Sequence, residues 1–282
     1  MSHSNDEESP LSDPVYDSNP LRSGNGPIGI VVAMDAELRH LLERCTATSQ
    51  PDGSRHIYHL KIGDVRVVAL RSGMGMINAA AATEWLILRH QPRAILNFGC
   101  AGAHKREIAP GDVIIGAAYV NHGAVHILPN GDELYAGFAY EVGGEAMSPK
   151  ELPADAALLD FAHQIAATWS PEPWPPELDW PAALPYRHPR IHTGPVASAD
   201  IWTQAHARLD LLHARHGTLC EDMEAAAIAQ VCAPHSMPFL AIKDISNNEF
   251  HGVTDIPGGF PEFPTAEVGK RAAALIERML RA

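Results

Sequence analysis

The sequence predicts an α/β fold: a mixed twisted sheet with helices on both sides, built as one domain. Short runs of apolar and β-branched residues alternate with longer segments whose apolar side chains recur at helical spacing, the pattern of a sheet covered by helices. Glycine turns stand where strands run into helices, as at Ser72-Gly73-Met74-Gly75. The 282 residues are 46% hydrophobic and 20% charged, enough to bury one large core.

Taken in order, residues 1–26 set Asp6, Glu7, Glu8, Asp13 and Asp17 against Arg22 and hold little to bury. They read as a disordered acidic tail ahead of a domain spanning 27–282. Residues 28–32 form an apolar strand that runs into a helix after Met34, where Leu38, Leu41, Leu42 and Cys45 share a face. A β-type run over 65–70 follows, then a small-residue helix over 77–89, a strand over 94–98 with a turn to Ala103, and a strand over 112–119. A helical stretch near 154–168 precedes a Pro and Trp loop over 170–189, long enough to be a lid or an insertion. Strands near 191–197 and 238–245 bracket a helix that starts at Met223-Glu224, and residues 265–280 close the chain as an amphipathic helix. No internal repeat is visible.

Composition narrows the function. A net charge of -13 leaves no basic surface to displace counterions from a phosphate backbone, which disfavours nucleic acid. Cys45, Cys100, Cys220 and Cys232 lack the C-x-x-C spacing of metal or redox sites, and a chain of this size folds without disulfides, which points to a cytoplasmic protein. No apolar run approaches the ~18 residues of a membrane span, and the N-terminus lacks the layout of a signal peptide. His122 and His126 are four apart, but Gly123, Ala124 and β-type neighbours argue against helical metal ligands.

Four blocks carry a resemblance. They are Ile28-Gly29-Ile30-Val31-Val32-Ala33-Met34-Asp35-Ala36-Glu37; Ser72 to Ala80 with Ile95-Leu96-Asn97-Phe98-Gly99-Cys100-Ala101-Gly102-Ala103; Gly194-Pro195-Val196-Ala197-Ser198-Ala199-Asp200-Ile201-Trp202; and Met223-Glu224 with Ser246-Asn247. In this order they resemble the nucleoside phosphorylase and nucleosidase family, on its methylthioadenosine/S-adenosylhomocysteine nucleosidase-like branch. The resemblance implies a three-layer sandwich and hydrolysis of a purine nucleoside to base and sugar, without cofactor or metal. It also implies a homodimer, and Leu128, Leu134, Tyr135, Phe138 and Tyr140 in the 121–143 segment look too apolar for a free surface.

Residue by residue, the resemblance makes Glu37 the base that activates water, although an acid in a first helical turn also suits the helix dipole. Glu224 becomes the ribose grip, with Met223 under the sugar. Trp202 becomes a stacking surface where a phenylalanine is usual, with a core tryptophan as the competing reading. Cys100 and Lys243 replace a serine and an arginine near the water, and Ala101, Gly102 and Ser198 complete the expected contacts. Asn247 stands where the branch has an acid, and an amide holds a purine but delivers no proton. Asp244 points to the opposite strand face, and Glu249 has the right parity but lies past the strand end. Phosphorylases of the family clamp phosphate with two arginines, and Asp35 with Glu37 and Asn97 occupy those places here; Arg71 and the cluster His104-Lys105-Arg106 are the alternative clamps, the cluster reading first as a solvated basic loop. Phosphorolysis is the alternative reaction, and a non-catalytic nucleoside-binding protein is the alternative class.

Overall fold

A computed structural model describes residues 19–178, 180–252, 254 and 265–282. The first half holds β1 (Ile28–Val32), α1 (Asp35–Leu42), β2 (Ala47–Asp52), β3 (Arg55–Ile62), β4 (Val65–Arg71), α2 (Met76–His90), β5 (Ala94–Ala103) and β6 (Val113–Asn121). Four short strands follow: β7 (Val125–Ile127), β8 (Glu133–Tyr135), β9 (Tyr140–Val142) and β10 (Glu145–Met147). The rest is β11 (Leu152–Pro153), α3 (Ala156–Ala166), β12 (Ile191–Ser198), α4 (His206–His216), β13 (Cys220–Asp222), α5 (Ala225–Cys232), β14 (Phe239–Asn247) and α6 (Lys270–Arg281).

Ten strands form one mixed sheet in the order β11-β6-β12-β13-β5-β1-β4-β3-β2, with β14 pairing both β5 and β6. That double pairing closes half of the sheet into a ring, β5-β14-β6-β12-β13, while β1, β4, β3 and β2 extend from it as an open wing. β1 is buried at every position because it is flanked by parallel β4 and β5, and its apolar run has no solvent face to supply. Gly29 is fixed by packing: a Cβ there would lie 2.5 Å from Ile95 and 2.9 Å from Leu86.

Helices cover both faces. α1 and α3 pack on α6 over one side, and α2 packs on α5 over the other. α2 buries Ala79, Ala82, Thr83, Leu86 and Ile87, one stripe at helical spacing, and stops at Gln91, whose left-handed φ of 46° precedes Pro92. In α6 the stripe is Ala272, Leu275, Ile276, Met279 and Leu280. It begins at Lys270, later than the expected 265, because Gly269 (φ +74°) ends a run of turns.

Three expectations change. Residues 19–26 do not belong to a tail, since Leu21 is fully buried in the core and the Arg93 guanidinium donates to its carbonyl; residues 1–18 lie outside the described ones. The strand over 94–98 runs on through the expected turn to Ala103, since β14 and β13 pair with that stretch. The β2–β3 hairpin was not foreseen, because Ala47–Asp52 reads Ala-Thr-Ser-Gln-Pro-Asp and is almost wholly exposed.

Candidate active site

The carboxyl ends of β1, β4, β5 and β14 open on one side of the sheet, and a pocket with about 620 Å³ of empty space lies there. It is lined by Glu37, Cys100, Ala101, Gly102, Trp202, Met223, Glu224 and Asn247, together with Ala33, Met34, Met74, Thr203, Glu221, Ser246 and Glu249. All four sequence blocks therefore meet at one place.

Glu37 sits in the first turn of α1, but its carboxyl turns inward and is buried. One oxygen accepts from the Cys100 backbone N–H at 2.8 Å and the other from that of Met34 at 3.1 Å. Gly99 permits this approach: a Cβ there would fall 2.6 Å from Glu37 Oε1. Glu224 precedes α5, and its carboxyl accepts from the Gly75 N–H at 2.9 Å, tying the Met-Glu segment to the glycine turn before α2.

Charge in this site is unbalanced. Lys243 is buried against Asp222, 2.6 Å away, with Glu224 and Glu37 beyond, so one cation serves three carboxyls. Burial acts to lower Lys243, and the acids around it outweigh that and hold it above its ordinary value. The carboxyls bear the deficit. Burial pushes Glu37 up, opposed by the Cys100 N–H and Lys243, and burial with Asp222 pushes Glu224 up to about 8. Burial, reinforced by Glu37, raises the Cys100 thiol well above its usual value.

At the opposite end, Asn247 closes β14. The register shifts between Ile245, opposite Ala101, and Asn247, opposite Gly102, so Ser246 is an extra residue in the ladder. The Asn247 Nδ2 donates to Glu249 Oε1 at 2.6 Å, and its Oδ1 accepts from the Ser246 hydroxyl at 2.9 Å. Glu249 also accepts from the backbone N–H and the hydroxyl of Thr254. Glu249 does lie past the end of β14, but the turn that follows carries it back into the wall. Asp244 does face away: its carboxyl accepts from the Arg271 N–H at 2.8 Å in α6 and is pushed up to about 7 by burial, against the pull of Arg271.

Glu221, unforeseen, lines the pocket beside Trp202 and Thr203. Its oxygens accept from the Thr203 N–H at 2.8 Å and meet His104 Nε2 at 3.2 Å. His122 is buried next to it, 3.6 Å from the same carboxyl, and burial pushes its imidazole down to about 4. No group of described residues has the arrangement of a metal site.

Two expected contacts lie outside the lining. Ser198 is fully buried; its hydroxyl donates to Asp222 and accepts from the Ala226 N–H at 2.9 Å, so it braces the start of α5 instead of meeting a ligand. Lys243 reaches the site only through Asp222 and the charges of Glu37 and Glu224. Trp202 lines the wall and is half-buried. Asn97 is buried and donates to Val31 O at 2.8 Å across β1, and Arg106 is held by Asp210, so neither offers a phosphate clamp. The 170–189 loop is no lid among its described residues. Trp174 is buried with the Arg271 guanidinium 5.1 Å from its ring, and Arg187 pairs with Asp112.

Fold and pocket together define a nucleoside-type α/β site with two buried carboxyls at one end and an amide at the other. The phosphorylase superfamily matches residues 27–281, and this chain belongs to that family. The 5'-methylthioadenosine/S-adenosylhomocysteine nucleosidase of Shewanella piezotolerans is 30% identical over 224 residues, 78% of this chain and 86% of that protein. The enzyme of the same name from S. pneumoniae, solved with the transition-state inhibitor MT-ImmA, superposes with a TM-score of 0.69 at 25% identity, over 91% of this chain and 99% of that one. Helicobacter pylori futalosine hydrolase shares the fold, with a TM-score of 0.68 at 19% identity over 90% and 97% of the two chains.

Proposed function

We propose that this chain hydrolyses the N-glycosidic bond of a purine nucleoside, giving free base and free sugar without a cofactor. One observation carries the choice of water over phosphate: five buried carboxyls, Glu37 and Glu224 among them, line the pocket, and no arginine or lysine lines it among the described residues. The undescribed stretches 1–18 and 255–264 contain neither residue type, so they supply no cation either. A phosphate dianion beside Glu37 and Glu224 would find no cation in the lining to clamp it.

In this reaction Glu37 takes a proton from water as its oxygen bonds to the anomeric carbon. Glu224 bonds the ribose hydroxyls, and its ionised form, favoured as pH rises through its raised value of about 8, stabilises the positive charge that develops on the sugar. The C–N bond breaks with its electron pair going to the base, which takes a proton at N7 or N9 from solvent water, while the proton taken up by Glu37 returns to solvent. Asn247 cannot give one. With Nδ2 held by Glu249, its Oδ1 has a lone pair left for an N7–H and its second N–H is left for an O6. Reversing the amide to suit adenine would turn Oδ1 onto the Glu249 carboxyl, a cost of roughly 1–3 kcal/mol. Glu221 adds an acceptor suited to the N1–H of a 6-oxopurine. The site therefore favours a hypoxanthine-type base.

The leading test is the product. Incubated with inosine, adenosine and 5'-methylthioadenosine, the protein is expected to release free sugar at the same rate with and without phosphate. Sugar 1-phosphate formed only in phosphate would establish phosphorolysis, and bound but uncleaved nucleoside would establish a binding protein. We also propose a cytoplasmic homodimer as the active form; the four free cysteines suit a reducing compartment.

A further inference from the structure

Gly102 has a polar neighbour on each side. In the ladder it stands opposite Glu221 of β13 and opposite Asn247 of β14, so the three residues form a row across the sheet, and all three line the pocket. Two strand spacings put the Glu221 and Asn247 backbones about 10 Å apart. Gly102 has no side chain to fill the space between them, and a Cβ there would stand 3.4 Å from the Asn247 amide. A flat base lying over Gly102 thus meets an amide along one edge and a carboxyl along the other.

A carboxyl buried on β13 is costly unless it is hydrogen-bonded, and its support comes from behind the pocket. Glu221 Oε1 accepts from the Thr203 N–H at 2.8 Å, and Oε2 accepts from His104 Nε2 at 3.2 Å. His104 is buried just past β5, and the Thr218 hydroxyl meets its Nδ1 at 2.8 Å; with that hydroxyl donating, Nε2 carries the proton that Glu221 needs. The other charged or titratable groups nearby do not compete. His122 stands 3.6 Å from the same oxygen, but neither of its ring nitrogens has a hydrogen-bond partner among the described residues. Arg208 is paired with Glu133, and Asp222 with Lys243. Burial pushes the Glu221 carboxyl up, and the His104 bond, with His122 and the Thr203 N–H, outweighs it and holds the carboxyl below its ordinary value. The plain reading of such a pair is a brace between the end of β5 and β13. Its opening onto the base end of the pocket argues for more.

We propose that His104, which does not line the pocket itself, is a positioning residue for base selection: it holds the Glu221 carboxylate over Gly102 as the acceptor for the N1–H of a 6-oxopurine whose O6 and N7 edge lies on Asn247. This deepens the nucleosidase reading and rests on it. Glu221 spends one lone pair of each oxygen on Thr203 and His104, and a carboxylate has others to offer a base. Adenine or unsubstituted purine would bring a lone pair at N1 against the carboxylate, and the Thr203 N–H that could have served that nitrogen is already taken.

The test measures kcat/KM of the full chain for inosine and for purine riboside, which differ at the N1–C6 edge, across the neutral pH range. The quantity read is the ratio of the two, in which the titration of Glu37 cancels. The native ratio is expected to favour inosine and to stay level with pH. His104→Leu leaves burial of Glu221 opposed by fewer partners, so more of the carboxyl is protonated and lost as an acceptor; the ratio should drop about 10-fold at neutral pH and recover as pH rises. His104→Gln keeps an N–H donor and should keep most of the ratio, while Glu221→Gln offers an N–H to a bare N1 and should turn the ratio toward purine riboside. A native-like ratio at every pH in His104→Leu, or an equal loss on both substrates, would overturn the proposal and leave His104 as a brace. Should His104→Leu fail to fold, a ratio unchanged in Glu221→Gln would overturn it as well. If neither nucleoside is cleaved, the nucleosidase reading fails by itself, and calorimetric affinities of hypoxanthine and purine for the native chain and the same variants decide the role of His104 by the same comparisons.

Discussion

Asn247 and Glu249 act as one unit, and a single substitution separates their effects. Asn247→Asp sets a carboxyl against Glu249 where the amide now donates at 2.6 Å. Two carboxyls at that distance cannot both ionise readily, so the new acid is held partly protonated near neutral pH, as a general acid requires. The substitution also removes the N–H available to an O6. Turnover of adenosine-type substrates is expected to rise by ~10- to 100-fold and that of inosine-type substrates to fall, read as the ratio of kcat/KM for the two bases. An unchanged ratio would mean that residue 247 does not touch the base. Glu37, Glu224 and Asn247 could be named from the sequence because each sits in one of the blocks that carry the resemblance. Glu249 was not, because it lies in the turn after β14, and strand parity says nothing of where a turn carries a side chain. Ser198 was misplaced for a related reason: a motif says that a residue is near the site, but not which side of its strand the ligand occupies.

At the scale of elements, β5 does more than a core strand. Its carboxyl end, Gly99-Cys100-Ala101-Gly102, pairs with β14 on one side and β13 on the other while its backbone also binds Glu37. Read alone, two glycines in that stretch suggest a turn; the structure uses them as places where side chains approach backbone. Gly99 meets Glu37, and Gly102 meets the Asn247 amide, 3.4 Å from where a Cβ would stand. Gly99→Ala must displace the Glu37 carboxyl and weaken its bond to the Cys100 N–H, one of the interactions that oppose burial. Glu37 works as a base only when ionised, and its folded-state pKa is already raised, so kcat/KM should climb with pH through a limb above the ordinary glutamate range. In Gly99→Ala that limb is expected to move to higher pH, with a loss of about 10-fold or more at its plateau. A pH–rate profile checks this, and a limb left in place would show that Glu37 is not the titrating base. The β1–α1 and β4–α2 junctions were readable because apolar runs and glycine turns fix them locally. The β2–β3 hairpin was hidden because it is an edge ribbon whose outer strand is polar and exposed.

For the whole molecule, the closed ring of β5, β14, β6, β12 and β13 explains how segments far apart in sequence share one pocket. Ring closure depends on long-range pairing, which periodicity in a single sequence does not encode, whereas the alternation of strands and helices does. The surface carries its own information. Ile77 (80% exposed) and Leu88 (65%) stand out on α2, and Ile127 (73%) and Leu134 (59%) on the β7–β8 hairpin, which α4 holds through Arg208 and Glu133. Phe138, expected among these, is instead buried. Large aliphatic side chains this exposed cost solubility unless a second surface covers them, and a second copy of the chain is the proposed cover. Sedimentation at micromolar concentration is then expected to give a species of twice 30.4 kDa. Introducing Ile77→Lys together with Leu134→Lys places unpaired cations in the contact and should shift the distribution to the 30.4 kDa monomer. Because Ile77 lies three residues beyond Met74 in the pocket wall, the same change should also lower kcat/KM. A native chain that sediments at 30.4 kDa with full activity would rule out the second subunit and leave those residues as ordinary surface.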